Sequence, residues 1–189
     1  MNERPIRISP QPMTEWSEST RAELASVVST GARKPVHLPV VIARHPTFLA
    51  PYLAWAKAIA LQGVLTPREN ALLALRTGLR CESAFEWGVH AETAPTRAGL
   101  GEHEIDAVVT GADTPLWSLR EAALLRAADE LHESNAISDT TWAELASHYD
   151  EAALLEIVFV VGHYTMLSMV ANSVGAFPQP DWRPLPEGR

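Results

Sequence analysis

The stretch LTPRENALLALRTGLRCESAFEWGVH, residues 65 to 90, holds two predicted helices in succession. Thr66-Pro67-Arg68-Glu69 is a capping box with proline at the first helical position, so one helix begins there. A second helix is predicted over roughly residues 82 to 97, with Gly99 beyond its end. Apolar residues recur at helical spacing in both segments, and we expect the two helices to form the centre of the fold.

The chain on either side repeats the pattern of capped helices. His45-Pro46 opens one helix, and Ser118-Leu119-Arg120-Glu121 is a second capping box. Ser138 and Asp150 are predicted caps for two more helices, and Gly175 can end the last of them. Since no segment alternates with a period of two, the sequence predicts an all-α fold.

Three regions differ in composition. Residues 1–35 are predicted to be an N-terminal arm with a short helix, residues 36–178 a helical domain, and residues 179–189 a proline-rich irregular tail. Within this division, ARKPVHLPVVI at residues 32–42 carries two prolines and predicts a loop.

The composition narrows the class of protein. The chain has 189 residues, of which 47% are hydrophobic, and this predicts a single globular domain. The formal net charge is -8 and no basic block occurs, so nucleic acid and anionic membrane surfaces are not expected partners. The first twenty residues lack the apolar core of a signal peptide, which favours the cytoplasm.

The run LLEIVFVVGHYTMLSMVANSV at residues 154–174 is the most apolar part of the chain. It contains Glu156, His163 and Asn172, which a lipid-spanning helix would carry at a cost. We therefore expect a buried central helix that does not cross a membrane. Because it is apolar around most of its circumference, part of its surface is expected to meet a second subunit.

Candidate chemistry is concentrated in SAFEWGVH, residues 83 to 90. At 100° per residue, Ser83, Glu86, Trp87 and His90 project from one helical face. Glu86 and His90 are four residues apart, so a carboxylate and an imidazole can exchange a proton there. The alternative is a surface ion pair that contributes little.

A second candidate set lies in the apolar run. Glu156 and His163 are seven residues apart and share a face with Phe159, and Met166 follows nearby. Two buried ionisable groups need partners, which water, the backbone or a ligand pocket could supply. For His163, a hydrogen-bonded core histidine and a site residue are equally compatible with the sequence.

Other kinds of site lack their motifs. The chain has one cysteine, Cys81, and no His-Glu-x-x-His sequence, Gly-rich phosphate loop or Gly-x-Ser-x-Gly elbow. We expect no bound metal and no cofactor.

The segments HPTFLAPYLAW, LTPRENALLALRTGLRC and SAFEWGVH, with the spacing between them, resemble the carboxymuconolactone decarboxylase family, which includes the alkyl hydroperoxidase D-like proteins. The resemblance covers roughly residues 40 to 177, and its most specific part is the Glu-Trp-x-x-His box. It implies an alkyl hydroperoxidase D-like helical bundle, assembled as a homo-oligomer (a dimer, trimer or hexamer).

The peroxidase branch of that family carries Cys-x-x-Cys-x-x-x-His and an upstream glutamate. Aligned on His90, the two cysteines fall on Ser83 and Glu86, and the glutamate falls on Ala71. A frame that starts at Cys81 does not restore the pair either. Thiol–disulfide exchange needs two sulfurs, so the resemblance does not support a peroxidase mechanism here.

The decarboxylase branch depends on acid–base groups. Its likeness implies a small substrate with a carboxylate or a lactone, Glu86 and His90 as catalytic residues, and a pocket that the remaining candidates line: Ser83, Trp87, Glu156, Phe159, His163 and Met166. Arg76 and Arg80 are the nearest cations in sequence. The alternative from another class is a non-catalytic oligomeric binding or scaffold protein of the same fold.

Overall fold

A computed structural model describes residues 5–28 and 37–187 of the chain. Within these residues there are nine α-helices, a 3-10 turn, a π-helical segment and no β-strand, which confirms the all-α prediction. The helices are α1 (Glu18–Val28), α2 (His37–Ile42), α3 (Pro46–Lys57), α4 (Pro67–Arg80), α5 (Ala84–Arg97), α6 (Glu102–Thr110), α7 (Leu119–Ser134), α8 (Asp139–Ala146) and α9 (Glu151–Val174). The 3-10 turn is Met13–Glu15, and the π-helical segment Ala58–Gln62 follows α3 directly.

The hairpin of α4 and α5 is built as the sequence predicts, with one adjustment. The hydroxyl of Thr66 accepts a hydrogen bond from the Glu69 amide, and the Glu69 side chain accepts one from the Thr66 amide, so the capping box is complete. The helix predicted from residue 82 begins at Ala84, because Glu82 takes a left-handed conformation with φ 49°. Ser83 is therefore the N-cap of α5, and α4 and α5 are separate helices.

Helix α4 lies in the middle of the fold and is buried from Glu69 to Leu79. On one side it packs with α7, α8 and α9 around Leu73, Leu124 and Ile157. On the other it packs with α5, α6 and α7 around a second cluster that includes Trp87. Because α4 supplies both clusters, the faces of α5 and α9 that meet beside it are held in fixed positions.

Helix α9 is apolar around most of its circumference, as predicted, but the fold covers only part of it. Val160, Val161 and Tyr164 are buried, whereas a stripe along one face is exposed. The large apolar residues of this exposed stripe are Leu155, Phe159, Met166 and Met169. By length and composition α9 could also cross a membrane, although half of its most apolar window is buried inside the fold, as in the core helix of a globular protein.

The loop prediction for residues 32–42 is wrong over its second half. Residues 32–36 lie outside the described part of the chain, but His37–Ile42 is helix α2. Pro39 is the third residue of this helix, where the amide it lacks would have no intrahelical partner. Proline is therefore tolerated there, and Leu38 and Val41 are buried.

Both ends of the described chain pack against the helices. The amides of Arg7 and Ile8 donate to the carbonyl of Val174 at the end of α9, at 2.8 and 3.2 Å. Gly175 ends α9 with φ 78°, and a Cβ there would lie 2.2 Å from the Pro5 carbonyl oxygen. Residues 179–187 form no helix, as predicted, but the ring of Trp182 packs on Phe85.

Candidate active site

The candidate site is centred on the first two turns of α5. The Ser83 hydroxyl accepts a hydrogen bond from the Glu86 amide at 3.3 Å, which fixes the start of the helix. The Glu86 side chain is buried, with only 2% of the residue exposed. Its Oε2 lies 3.7 Å from Nε2 of His90, whose side chain is 20% exposed. The structure thus pairs a buried carboxylate with an imidazole that solvent still reaches.

Helix α9 contributes a second imidazole and a phenol to the same place. The Tyr164 ring packs edge-on against the His90 ring, with centroids 4.6 Å apart. His163 packs against Tyr164 at 5.0 Å and faces Trp55 of α3 at 6.4 Å. His163 therefore belongs to the cluster around His90.

The electrostatics of the cluster follow from burial and from the Glu86 charge. Burial raises the pKa of Tyr52 on α3, and the Glu86 carboxylate raises it further. Burial, Glu86 and Tyr52 also raise the pKa of Tyr164. Burial, with a smaller effect of His90, lowers the pKa of His163 to about 4. At neutral pH the cluster therefore offers two protonated phenols and one neutral imidazole.

Two buried polar atoms of the cluster have no hydrogen-bond partner among the described residues. They are Oε1 of Glu86 and Nδ1 of His163. Buried polar groups are nearly always paired in native proteins, and an unpaired one usually marks a place where a ligand or ordered water binds. A small polar ligand at these two atoms would complete the site.

The structure does not bring every predicted residue into the cluster. Glu156 shares a face of α9 with His163 but lies about 10 Å nearer the start of the helix. There its carboxylate accepts hydrogen bonds from the Val64 amide at 2.6 Å and the Leu65 amide at 3.4 Å. Trp87 is fully buried in the second core cluster and donates to the Pro184 carbonyl at 2.9 Å.

The two remaining apolar candidates lie at the surface. Phe159 and Met166 are 48% and 45% exposed on the outer stripe of α9. Phe159 contacts the edge of Trp55, with ring centroids 5.5 Å apart. Phe159 thereby borders the cluster through Trp55.

The arginines nearest in sequence are committed to structural ion pairs. Arg76 is buried and binds both carboxylate oxygens of Asp129, and it also donates to the Val108 carbonyl. Arg80 pairs with Asp129 and Glu133. Because α4 and α5 are separate helices, neither guanidinium shares a face with Glu86.

Two cavities lie near the cluster, and neither is lined by Glu86 or His90. One, of about 280 Å³, lies beside Cys81 and His132, whose Sγ and Nδ1 atoms are 3.7 Å apart. The other, of about 240 Å³, is lined by the π-helical segment and by Asn70. Among residues 5–28 and 37–187, no group of three or more His, Cys, Asp or Glu side chains is arranged to hold a metal ion.

Sequence reasoning missed Tyr52, Asn70 and Tyr164. The Tyr164 hydroxyl donates to Oδ1 of Asn70 at 3.3 Å, and Asn70 Nδ2 donates to the Ile59 carbonyl at 2.9 Å. Tyr164 directly follows His163 in the apolar run, so its position in the sequence gave a usable signal. Tyr52 and Asn70 lie in α3 and α4, and only the packing of those helices brings them to the site.

Similar solved structures define the class of fold. For a peroxidase-related protein from Silicibacter sp. TM1040, 96% of this chain and 96% of that chain align, at 16% identity and a TM-score of 0.80. For the alkylhydroperoxidase AhpD core of a peroxidase-related protein from Ralstonia eutropha JMP134, 94% of this chain and 95% of that chain align, at 16% identity and a TM-score of 0.71. The debrominase Bmp8 aligns over 92% of both chains, at 14% identity and a TM-score of 0.76. At these identities the likeness shows an alkyl hydroperoxidase D-like helical fold and nothing finer.

Part of the sequence itself also matches a protein family. Residues 46–130, from the start of α3 into α7, match the carboxymuconolactone decarboxylase family, and this confirms the family resemblance. The matched segment contains Glu86 and His90. No curated protein matches the chain.

Proposed function

We propose that the protein is a cofactor-independent acid–base enzyme that acts on a small substrate carrying a carboxylate or a lactone, with Glu86 and His90 as its proton-transfer pair. The observation that carries the proposal is the buried Glu86 carboxylate, which lies 3.7 Å from His90 Nε2 and keeps its other oxygen unpaired. The separation of Glu86 Oε2 and His90 Nε2 is longer than a hydrogen bond, so the two side chains do not form a hydrogen-bonded ion pair.

The chemistry is that of a decarboxylase-like lyase. When a carboxylate attached next to the C=C bond of an unsaturated lactone loses CO₂, the electron pair of the broken C–C bond passes through that C=C bond into the lactone carbonyl. The resulting enolate must then take up a proton at carbon. His90, in its protonated form, can deliver that proton, and Glu86 stabilises the imidazolium and helps to return it to the protonated state from solvent.

The other groups of the cluster have supporting roles in this proposal. The protonated phenol of Tyr52 can donate a hydrogen bond to a developing enolate oxygen. The Tyr164 hydroxyl already donates to Asn70 Oδ1, and its ring holds the His90 ring in place. The neutral imidazole of His163 presents Nδ1 to a polar group of the substrate. The apolar walls around them favour a step in which a localised carboxylate charge becomes a delocalised enolate charge and neutral CO₂ leaves.

The alternative is a binding or scaffold protein that keeps the fold without catalysis. Peroxidase activity of the dithiol type is less favoured, because Cys81 is the only cysteine and its Sγ lies beside His132. Unpaired buried atoms in the cluster support an enzyme or a ligand-binding protein over a pure scaffold.

The test is turnover of γ-carboxymuconolactone, followed as CO₂ release, by the wild-type protein and by Glu86→Gln and His90→Gln. Each variant keeps a similar side-chain size but can no longer take up or release a proton, so we expect turnover to fall roughly 10²-fold or more. Matched controls are Glu92→Gln, an exposed carboxylate on the same helix, and His103→Gln, an exposed histidine on α6. Both controls should keep wild-type turnover.

The melting temperature of each variant separates catalysis from folding. We expect only modest changes for Glu86→Gln and His90→Gln. If both variants lose stability in proportion to turnover, or if the wild-type protein neither converts nor binds the lactone acid, the pair is structural and the enzyme proposal fails.

A further inference from the structure

The face of α5 that carries Glu86 and His90 continues to a third charged residue. Arg97 is eleven residues after Glu86 and seven after His90, so it lies within about 20° of each around the helix axis. Pro95 does not end the helix before this point, since the Ala98 amide donates to the Ala94 carbonyl at 2.9 Å. Arg97 is therefore at the last turn of the same face, about 10 Å along the axis from His90.

The long side chain of Arg97 shortens this gap. Side chains on an α-helix lean towards its N-terminus, so an arginine in the last turn reaches back over the preceding turns. That direction leads towards His90.

Tyr164 connects the two ends of this face. Its ring contacts His90, while its hydroxyl donates to Asn70 in the first turn of α4. Because α4 and α5 are consecutive helices of a hairpin, the start of α4 lies beside the end of α5. The phenol therefore extends from His90 towards Arg97. Burial dominates the raised pKa of Tyr164, and the charge of Arg97 opposes that rise, as expected of a nearby cation.

Arg97 forms no ion pair with a described residue, and it is exposed to solvent. Seven other described arginines are paired with carboxylates: Arg44, Arg68, Arg76, Arg80, Arg120, Arg126 and Arg183. The guanidinium of Arg97 is thus available to a ligand.

We infer that Arg97 binds the carboxylate of the substrate and so selects organic anions for the Glu86–His90 site. A guanidinium offers two parallel N–H donors that match a carboxylate, in an arrangement that neither lysine nor a neutral amide reproduces. The need for such a cation is clear, because the buried Glu86 carboxylate and the net charge of -8 both repel an anionic substrate. This inference rests on the proposed function.

The geometry also indicates the shape of the substrate. One end carries the carboxylate held at Arg97, and the carbon that exchanges a proton lies at the other end, near His90. Arg97 is a specificity-determining residue in this arrangement, and it does not touch the reacting carbon.

Steady-state kinetics of Arg97→Gln and Arg97→Lys on γ-carboxymuconolactone test the inference. Loss of a charge-assisted carboxylate contact is expected to raise KM about 10- to 100-fold in Arg97→Gln, with kcat within a few-fold of wild type. Arg97→Lys should recover part of the loss. A substrate whose retained carboxylate is a methyl ester, with the carboxylate that leaves as CO₂ still free, should show the same KM with the wild-type protein and with Arg97→Gln, since no anion remains at Arg97 to be recognised.

Arg126→Gln, an arginine substitution on α7, is the matched control and should leave KM unchanged. If the wild-type protein turns over the acid and Arg97→Gln has the same KM, the assignment of Arg97 is wrong while the proposed function stands. If the wild-type protein neither converts nor binds the acid, and Glu86→Gln behaves identically, the proposed function and this inference fail together.

Discussion

His163 is a histidine that stays uncharged at neutral pH because of where α9 places it. Only 5% of the residue is exposed, and its neighbours are the rings of Tyr164 and Trp55. Burial, together with the nearby His90, lowers its pKa from 6.5 to about 4. A neutral imidazole can accept a hydrogen bond from a substrate without adding a second positive charge next to His90.

The shifted pKa of His163 predicts a pH dependence of stability. As the pH falls below 6.5, the unfolded chain binds a proton at this residue before the folded protein does, so the free energy of unfolding falls until the pH nears 4. Between about pH 8 and about pH 5 this residue should account for a loss of about 2 kcal/mol. Urea unfolding of the wild type and of His163→Gln at both pH values measures the difference.

The exposed His103→Gln variant is the control for His163→Gln and should keep the wild-type slope. Equal pH slopes in the wild type and His163→Gln would show that His163 is not held neutral.

Cys81 is a residue whose surroundings argue against catalysis. Burial raises the pKa of its thiol, although hydrogen bonding with Thr165 and Ser168 opposes the rise. A neutral thiol is a poor nucleophile, and the chain has no second cysteine to resolve a disulfide. We expect Cys81→Ser to keep γ-carboxymuconolactone turnover within a few-fold of wild type. Loss of most turnover in that variant, with its melting temperature preserved, would make Cys81 a catalytic residue.

Among the helices, α5 depends on a cap that also positions the site. The Ser83 hydroxyl holds the amide of Glu86, and removal of an N-cap hydroxyl usually costs about 1 kcal/mol. We expect Ser83→Ala to lower the free energy of unfolding by that amount and also to lower turnover, because the turn that carries Glu86 becomes less ordered. Chemical denaturation and kinetics on the same preparation measure both.

Ser138→Ala provides the comparison for Ser83→Ala. Ser138 caps α8 in the same way, by accepting from the Thr141 amide at 3.3 Å. It should show a similar loss of stability with wild-type turnover. If Ser83→Ala also leaves turnover unchanged, the cap supports the helix without ordering the site.

Local rules predicted most helix starts, because each start depends on residues three apart in sequence. The capping boxes at Thr66 and Ser118 and the caps at Ser138 and Asp150 all form as predicted. Helix α2 was missed because proline was treated as a helix breaker regardless of its position. The π-helical segment Ala58–Gln62 had no predictable signal in the sequence.

From the sequence, the candidate site could be predicted only for the residues that lie on one face of a single helix. Helical spacing brought Ser83, Glu86 and His90 together, and the structure keeps them together. The same rule wrongly groups Trp87 with these residues. Its side chain packs in the second core cluster, although it is next to Glu86 in sequence. The partners from α3 and α9, Tyr52 and Tyr164, depend on tertiary packing, which spacing within one helix does not encode.

At the scale of the whole molecule, the exposed stripe of α9 calls for a partner surface. Leu155, Phe159, Met166 and Met169 form a continuous apolar row, and Trp55 extends it through its contact with Phe159. Contiguous exposed apolar residues of this kind usually mark an interface between proteins. We propose a homo-oligomer in which this stripe is buried between copies of the chain.

Light scattering at micromolar concentration tests the assembly. The wild-type protein should have a mass that is a multiple of 20.7 kDa. Phe159→Glu places a charge in the stripe and should shift the mass towards one chain, whereas Leu119→Glu, an exposed apolar residue outside the stripe, should not. A single 20.7 kDa species for the wild type would contradict the proposal.

The attachment of the N-terminal arm to the end of α9 restricts how this chain can be re-engineered. Its two main-chain hydrogen bonds are donated by the amides of Arg7 and Ile8 to the carbonyl of Val174. These two bonds therefore do not depend on the side chains of the arm. Residue 175, in contrast, must remain glycine, because a methyl group there would overlap the Pro5 carbonyl. Side-chain changes at Ile8 are therefore compatible with these two hydrogen bonds, whereas Arg7 also donates from its guanidinium to the Ser173 carbonyl. Deletion of residues 5–8 removes all of these contacts from the last turn of the longest described helix.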